Sequence, residues 1–458
     1  MNQHYLSRRK LLKGLGATAL LSRFGWMNAF AQATPPDYKA LVCIFLAGGN
    51  DGHNTVIPLT QAAFNNYKNA RGSLALPDSN GPLVQVEDYT NAMPFGLNPG
   101  LSALAPLWGT GAGTGKLAVM ANVGMLVKPV SRSQFISNAV PLPTNLFSHS
   151  DQIQQMQAAI PSSSAGTGWG ARAADVLSPL NGASQFPAAI SCAGPSLYCT
   201  GNIVQSASLL PGFDLDPAGM SLWPAAATAG RVNGLQQVLQ FDSGLTLVQA
   251  ANKVRKDALD LNALMKGGSA TINTPFPGGS LSDQLKQVAT LIKLRNTTGV
   301  KRQVFFCLLS GFDTHGSQSW QQWDLLRQVA EGMSAFYQCT EQELQIPNQV
   351  TTFTLSDFGR TLQPSGSGTD HGWGSHHLVL GGAVQGGRIH GTFPDLALGG
   401  NDDSGTRGAL IPSTSIEQYA ATFAKWLGVD DNNLPLIFQN LYNNLPAFGG
   451  QATLNFMG

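Results

Sequence analysis

Residues 40–55 read ALVCIFLAGGNDGHNT, and this stretch predicts the class of fold. Seven apolar residues run without interruption from Ala40 to Leu46, and a turn rich in glycine and polar side chains follows. A short, continuous apolar run suits a strand that is buried on both faces, as in a parallel sheet covered by helices. The same sequence of apolar strand and polar turn recurs at residues 304–309 and 350–355, and residues 116–123 form a further apolar strand.

Helical patterns alternate with these strands. Residues 282–292 and 323–337 carry apolar side chains at helical spacing, and each segment leads into one of the strands. Near the C-terminal end, Ser415 and Gln418 form a capping box before another apolar stripe. This alternation predicts a doubly wound α/β domain. Residues 201–279 are expected to form a more helical insertion or cap on that domain.

The composition describes a weakly charged globular protein. The chain has 458 residues, of which 43% are hydrophobic and 12% are charged, and its formal net charge is +1. These values argue against a disordered chain, and the lack of a basic surface argues against a nucleic-acid partner. Residues 109–115 read GTGAGTG, but they precede a strand instead of following one, so they predict a flexible loop and not a dinucleotide site.

The N-terminus carries an export signal. Residues 7–13 read SRRKLLK, a twin-arginine pattern; an apolar run follows from Gly14 to Leu21, and a stretch with small residues ends the signal at 29–33. We therefore expect residues 1–33 to be a signal peptide and residues 34–458 to be one exported domain, periplasmic or secreted, with the twin-arginine machinery as a partner. The apolar run is too short for a stable membrane span. In an oxidising compartment, Cys192 and Cys199 could form a disulfide.

Acidic and imidazole side chains concentrate just after the predicted strands. Because ligands of open α/β sheets bind at the carboxyl ends of strands, we expect these side chains to meet at one edge. Carboxylate and imidazole together suit a divalent ion, Zn²⁺ first, with Mn²⁺, Mg²⁺ and Ca²⁺ as alternatives. Each residue alone could equally cap a helix or donate within a loop, and it is the joint placement that favours a metal. The candidate ligands are Asp51, Asp313, His315, Asp357, Asp370, His371 and either His376 or His377.

A nucleophile and anion-binding groups are less clearly marked. Ser148 and Ser150 lie at the start of a predicted helix, whose free N–H groups would favour an anionic ester intermediate, although either serine could simply cap the helix. Asn54 could contact a substrate. Arg360 could clamp an anion or pair with a neighbouring carboxylate.

Four segments together resemble a known family. They are FLAGGNDGHNTVIP at 45–58, GFDTHGSQ at 311–318, SDFGRTLQPSGSGTDHGWGSHH at 356–377 and RGALIPSTSIEQYAATFAKWLGV at 407–429. They resemble a widespread bacterial family of twin-arginine-exported proteins, the domain of unknown function numbered fifteen-oh-one. That family in turn is similar to the alkaline phosphatase and sulfatase superfamily. The resemblance implies a three-layer α/β/α sandwich with a mostly parallel central sheet, a metal site at the sheet edge, and hydrolysis of phosphate or sulfate esters.

The resemblance also implies roles for individual residues. Asp51 matches an acidic ligand after the first strand, and Ser148 lies where the nucleophile would lie. Asp313 and His315 resemble the next ligand pair, and Asp357 and His371 a strand-end acid with its imidazole. Alternatively, Asp370 and His371 form the ligand pair, with His376 or His377 as the final ligand. The sulfatase signature C/S-x-P-x-R is absent, which disfavours a sulfatase that uses a modified residue.

Two functions of different classes follow. The leading hypothesis is an exported, metal-dependent hydrolase of phosphate or sulfate esters, acting on a small anionic ester or an envelope polymer. The alternative is a non-catalytic periplasmic binding or scaffold protein on the same fold. A metal-free serine hydrolase ranks last, because the chain has no G-x-S-x-G motif.

Overall fold

The strand that begins at Lys39 lies at the centre of a large sheet. A computed structural model describes residues 38–458 except 112, 163, 185, 205, 213–218, 221, 242–243 and 267–269, so the predicted signal peptide and its cleavage site lie outside the described residues. The strands are β1 (Lys39–Ala47), β2 (Val56–Pro58), β3 (Val84–Asp88), β4 (Met93–Leu97), β5 (Leu117–Gly124), β6 (Ala189–Ser191), β7 (Ser206–Ser208), β8 (Arg302–Ser310), β9 (Val350–Ser356), β10 (Ser375–Gly381), β11 (Ile389–His390) and β12 (Thr414–Ser415).

The large sheet has the strand order β11-β5-β10-β9-β1-β8-β6-β7, and β12 pairs with β5. Strand β1 pairs in parallel with both β8 and β9. Strand β10 is antiparallel to its neighbours β5 and β9. A smaller antiparallel sheet has the order β2-β4-β3. The four apolar runs that predicted buried strands are thus confirmed as β1, β5, β8 and β9, and the central sheet is mostly parallel.

Helices follow the strands closely. The predicted helices before β8 and β9 are both present, and so is the helix that the capping box predicted, with the side chains of Ser415 and Gln418 each bonding the other's backbone. The helices are α1 (Gln61–Arg71), α2 (Ala105–Trp108), α3 (Arg132–Ile136), α4 (His149–Ala158), α5 (Trp169–Leu177), α6 (Thr228–Gln240), α7 (Thr246–Lys266), α8 (Ser280–Lys293), α9 (Arg295–Thr298), α10 (Gln318–Gln338), α11 (Ile416–Leu427), α12 (Leu434–Ile437) and α13 (Gln439–Asn443).

The two faces of the sheet support separate hydrophobic cores. Because side chains alternate along a strand, Val42 packs into the core that α8 and α10 cover, and Cys43 packs into the core that α5 and α11 cover. Helices therefore lie on both faces of the sheet. This arrangement confirms the predicted three-layer α/β/α sandwich, and residues 38–458 group into one compact unit.

Three further features bear on the sequence predictions. Helices α6 and α7 occupy much of the stretch 201–279, where a more helical insertion or cap is expected. Cys192 and Cys199 are both buried free thiols, so no disulfide joins them. Among the described residues, we find no helix with the length and apolar character that a membrane crossing requires.

Candidate metal centre

The loops after β1, β8 and β9 meet because these three strands are parallel neighbours. Asp357 directly follows β9, and its carboxylate accepts from the backbone N–H of Gly48, at 3.1 and 3.3 Å. Asp313 lies three residues beyond β8. A side chain at Gly48 would place its Cβ 2.3 Å from the backbone nitrogen of Asp313, and the φ of Gly48 is +117°. Only glycine allows the two loops to approach this closely.

The first residue of α4 adds a histidine to these carboxylates. The Nδ1 of His149 lies 2.7 Å from Oδ2 of Asp357, and its Nε2 lies 3.4 Å from Oδ2 of Asp313. An ionised carboxylate only accepts, so Nδ1 carries the proton and donates to Asp357. The buried Nε2 atom makes no hydrogen bond with the residues that the structure describes. The hydrogen bond to Asp357 also raises the pKa of His149, against the opposing effect of burial.

His371 is held in the same manner from the other side. Its Nδ1 lies 2.8 Å from the backbone oxygen of Phe147, which can only accept, so Nδ1 is again the protonated nitrogen. Its Nε2 faces Oδ1 of Asp313 at 3.5 Å and Nε2 of His315 at 3.1 Å. Burial lowers the pKa of His371, which favours the neutral ring that a metal requires.

The donor atoms fit a divalent ion. One ligand atom from each of His149, Asp313 and His371 lies within 4.8 Å of the other two. A second triangle joins Nε2 of His315, Nε2 of His371 and Oδ1 of Asp313, with edges of 3.1, 3.5 and 3.0 Å. Ligands at about 2.0–2.1 Å from a tetrahedral Zn²⁺ are separated by about 3.3 Å. Histidines whose second nitrogen is fixed by a carboxylate or carbonyl are the usual form of metal-binding histidine.

Two arginines anchor the acids of this cluster. Arg360 has a fully buried side chain, and it donates through NH1 to Oδ1 of Asp313 at 3.0 Å. Burial raises the pKa of Asp313, but the hydrogen bond and charge of Arg360 outweigh it, so the pKa lies below the ordinary value. Arg407 donates to Oδ2 of Asp370 at 2.5 Å, and the other oxygen of Asp370 lies 3.5 Å from Nδ1 of His315. Arg360 thus pairs with a carboxylate, one of its two expected roles.

An aromatic ring supports both histidines. The ring centroid of Phe358 lies 4.8 Å from that of His149 and 4.7 Å from that of His371. Phe358 is itself buried, and Gly49 leaves room for it, since a Cβ at Gly49 would lie 2.6 Å from the phenyl ring. The ring therefore packs against both imidazoles, whose Nε2 atoms face Asp313.

Comparison with known proteins places the chain in a family. The sequence model of the family described as "Protein of unknown function (DUF1501)" matches residues 38–446. The chain belongs to this family. No curated protein matches the sequence of this DUF1501 member. Among solved structures, it is similar to PsFucS1 sulfatase from Pseudoalteromonas sp., with 9% identity, a TM-score of 0.30, and coverage of 84% of this chain and 71% of the sulfatase. A likeness of this size carries no functional argument.

Two predicted site residues of the DUF1501 chain lie in a separate, buried network. The carboxylate of Asp51 forms an ion pair with Arg71, and both side chains are completely buried. It also accepts from the side chain of Gln318 and from the backbone nitrogen of His53 at 3.0 Å. The side chain of Asn54 accepts from Nε of Arg71 at 2.8 Å. The structure therefore brings neither Asp51 nor Asn54 to the cluster around Asp313.

The adjacent histidines of β10 are also buried within the sheet. His376 accepts from the backbone nitrogen of Asn122 at 3.0 Å, and its ring stacks on Phe393. His377 lies 3.5 Å from the hydroxyl of Thr354 and stacks on Tyr419. Burial lowers the pKa of His377 to about 3. Each ring packs as a neutral core side chain, on opposite faces of the strand as alternation requires.

The serine candidates precede and follow His149. Ser148 is the N-cap residue of α4, but its hydroxyl makes no capping bond and instead donates to Oδ2 of Asp151 at 2.6 Å. The hydroxyl of Ser150 lies 3.1 Å from that of Ser148. Both serines are therefore neighbours of a metal-binding candidate along the helix.

The sequence did not predict three residues that the structure brings to the cluster: His149, Arg407 and Phe358. His149 lies far from the other ligands in sequence, and only its place at the start of a helix with Ser148 marked it. Arg407 is part of the RGALIP segment that carries the family resemblance, but nothing in the spacing indicated its pairing with Asp370. Phe358, within SDFGR, could have been recognised as a supporting side chain only through the ring contacts.

Proposed function

We propose that this protein is an exported, metal-dependent hydrolase of phosphate or sulfate esters. The observation that carries the proposal is the pair of Nε2 atoms, from His149 and His371, that face the carboxylate of Asp313 while an acceptor fixes each Nδ1. A bound divalent ion, Zn²⁺ before Mn²⁺, Mg²⁺ or Ca²⁺, would stabilise negative charge on the ester oxygens. The export itself rests on the twin-arginine sequence and is part of the proposal.

The chain's own residues divide the work. His149, Asp313 and His371 hold the ion, and His315 completes the second triangle of donors. Asp357 and Arg360 orient His149 and Asp313 and do not contact the substrate in this scheme. Asp357 accepts from Nδ1 of His149 and so leaves Nε2 as the atom that would bind the metal. This is the usual role of a carboxylate that bonds the second nitrogen of a metal-binding histidine.

Ser148 is the proposed nucleophile. Its hydroxyl already donates to Asp151 at 2.6 Å, so that carboxylate would take up the proton as Oγ forms its bond to phosphorus or sulfur. The bond to the ester oxygen breaks, the leaving alcohol takes that proton, and water then hydrolyses the seryl ester to regenerate Ser148 and release phosphate or sulfate. Ser150 is the natural comparison, because it lies one residue beyond His149. Loss of ester hydrolysis in Ser148→Ala but not in Ser150→Ala would support this assignment. If Ser148→Ala hydrolysed esters as fast as Ser150→Ala does, the assignment would be excluded.

Metal content and hydrolysis test the proposal together. Purified, folded wild-type protein should contain one or two divalent ions per chain by plasma mass spectrometry, and it should hydrolyse aryl phosphate or aryl sulfate. His371→Ala should lose both properties. His390→Ala is the matched control, since Nε2 of His390 lies 2.9 Å from the backbone oxygen of Gln385, outside the cluster. Substoichiometric metal together with no hydrolysis of either ester would refute the proposal.

The second candidate is a non-catalytic binding or scaffold protein on the same fold. The observation that favours it is the buried ion pair between Asp51 and Arg71. Because of this pair, one carboxylate that was expected to bind the metal does not reach the metal centre. Under this alternative, the Asp/His cluster serves structure. Stoichiometric metal whose removal lowers the melting temperature, without any ester hydrolysis, would support the scaffold.

A further inference from the structure

A surface cavity of about 490 Å³ is lined by α3 and by the loop that carries Asn401. This volume falls in the range of sites that hold a small organic ligand. The lining consists of short polar side chains, one guanidinium and one aliphatic side chain. These residues, the α3 cavity, are Ser131, Arg132, Ser133, Ile136 and Asn401.

Residues close in sequence to the lining of the α3 cavity contact the segment that carries His371. On the helix side, the ring of Phe135 packs on Trp373, with centroids 5.6 Å apart. On the loop side, Arg407 forms the ion pair with Asp370. Arg132 joins the two walls, because its NH2 donates to the backbone oxygen of Gly405 at 2.9 Å. The helix and the loop that line the cavity therefore both contact residues 370–373, the stretch that also carries His371.

The lining of the α3 cavity matches a hydroxylated and anionic ligand. Serine hydroxyls and the amide of Asn401 both donate and accept, as the hydroxyls of a sugar do. The guanidinium of Arg132 lines the cavity, and guanidinium suits sulfate or phosphate oxygens. Ile136 is 56% exposed at the rim and can cover the apolar face of a sugar ring.

The metal centre itself is open. The side chains of Asp313 and His315 are 46% and 49% exposed, so an ester on a long chain can reach them as easily as a small one. We infer that the substrate of the proposed hydrolase is an extended carbohydrate carrying phosphate or sulfate esters, and that the α3 cavity binds a sugar unit beside the ester that is cleaved. This inference rests on the proposed function for the reaction, but the binding site can be tested without it.

Binding of defined polymers is the direct test. The full chain carrying His371→Ala, which stops turnover, is titrated by calorimetry with sulfated dextran, phosphorylated dextran, neutral dextran of equal length, and polyglutamate. We expect one of the esterified dextrans to bind at least tenfold tighter than neutral dextran or polyglutamate. Adding Arg132→Gln should weaken that binding by about tenfold, as loss of one charge-assisted hydrogen bond predicts.

Two further variants keep the test specific. Ser133→Trp fills the α3 cavity without changing its charge, and it should also weaken binding by about tenfold or more. Arg327→Gln removes the same charge from the surface of α10, where Arg327 pairs with Asp324 and Glu331, and should change nothing. Equal binding of polyglutamate, or unchanged affinity in both cavity variants, would overturn the inference.

The two proposals fail in different ways. If wild-type protein hydrolyses aryl esters while the cavity variants leave polymer binding unchanged, the α3 cavity is not a sugar site and the hydrolase stands. If esterified dextran binds through the cavity but no ester is ever hydrolysed, the binding site is supported and the hydrolase is refuted. Arg327→Gln should leave both polymer binding and aryl ester hydrolysis at the wild-type level, because Arg327 lies outside the α3 cavity and the metal centre.

Discussion

Replacement of Asp51 by asparagine separates a structural role from a metal-binding one. The sequence places Asp51 after the first strand, where a metal ligand is expected, but in the structure its carboxylate is fully buried against Arg71 and receives the side-chain amide of Gln318. Asn keeps the size of the side chain and removes its charge. If the structural role is correct, the variant loses stability and keeps its metal.

The magnitude follows from the buried guanidinium. Removing one partner of a buried ion pair costs about 3–5 kcal/mol, because the remaining charge is left without compensation. Burial already lowers the pKa of Arg71 to about 9, which shows how strongly the interior disfavours this charge. With an unfolding entropy of about 2.1 cal/mol/K per residue over roughly 420 residues, a loss of this size lowers the melting temperature by about 3–6 °C.

The assay combines calorimetry with metal analysis. Asp51→Asn should melt about 3–6 °C below wild type and retain the wild-type metal content. Asp51→Asn combined with Arg71→Met should recover part of the stability, since no unpaired charge then remains in the interior. An Asp51→Asn protein that melts like wild type but contains no metal would refute this reasoning and restore Asp51 as a ligand.

Three further predictions concern acid stability, ring support and metal removal. Burial raises the pKa of Glu417 to about 7, so the native state binds a proton more tightly than the unfolded chain does. The free energy of unfolding should therefore fall as the pH rises from about 4.5 to 7. In denaturant titrations at pH 5 and pH 8, Glu417→Gln should remove roughly 3 kcal/mol of this pH dependence. Phe358→Leu should weaken metal affinity about tenfold in isothermal titration, as substitution of other groups that orient metal-binding histidines does. Unchanged affinity would show that the phenyl ring does not support the two histidines. A chelator should lower the melting temperature of wild type and leave that of His371→Ala unchanged, and an equal shift in both would place the metal elsewhere.

The sequence predicted the central sheet well because its signals are local. The runs at 40–46 and 350–355 favour a strand buried on both faces, and both form parallel pairs at the centre of the sheet. The capping box at Ser415 could also be recognised from sequence, because it involves only residues within one helical turn. Strand β10 was harder, since His376 and His377 look polar in sequence, and neutral rings packed on aromatic partners fill the core there.

The candidate site was predictable only in part, because a strand end fixes position but not side-chain direction. Asp313, Asp357 and His371 meet as their places after parallel strands suggested. Asp51 has an equivalent place, yet its neighbours in sequence give no sign that Arg71, at the end of α1, takes up its carboxylate. His149 depends on how α4 returns to the sheet edge, which is a property of tertiary packing.

The wide spacing of the cluster in sequence has a consequence for folding. His149 contacts Asp357 across 208 positions, and His371 contacts the backbone of Phe147 across 224. No fragment that lacks α4 or the segment after β9 can assemble the donors, and a bound ion would close one of the longest loops in the chain. If the cluster binds a metal as proposed, metal loading would report that α4 and the loops after β8 and β9 have come together, which makes it a simple test of native topology in truncated or circularly permuted chains.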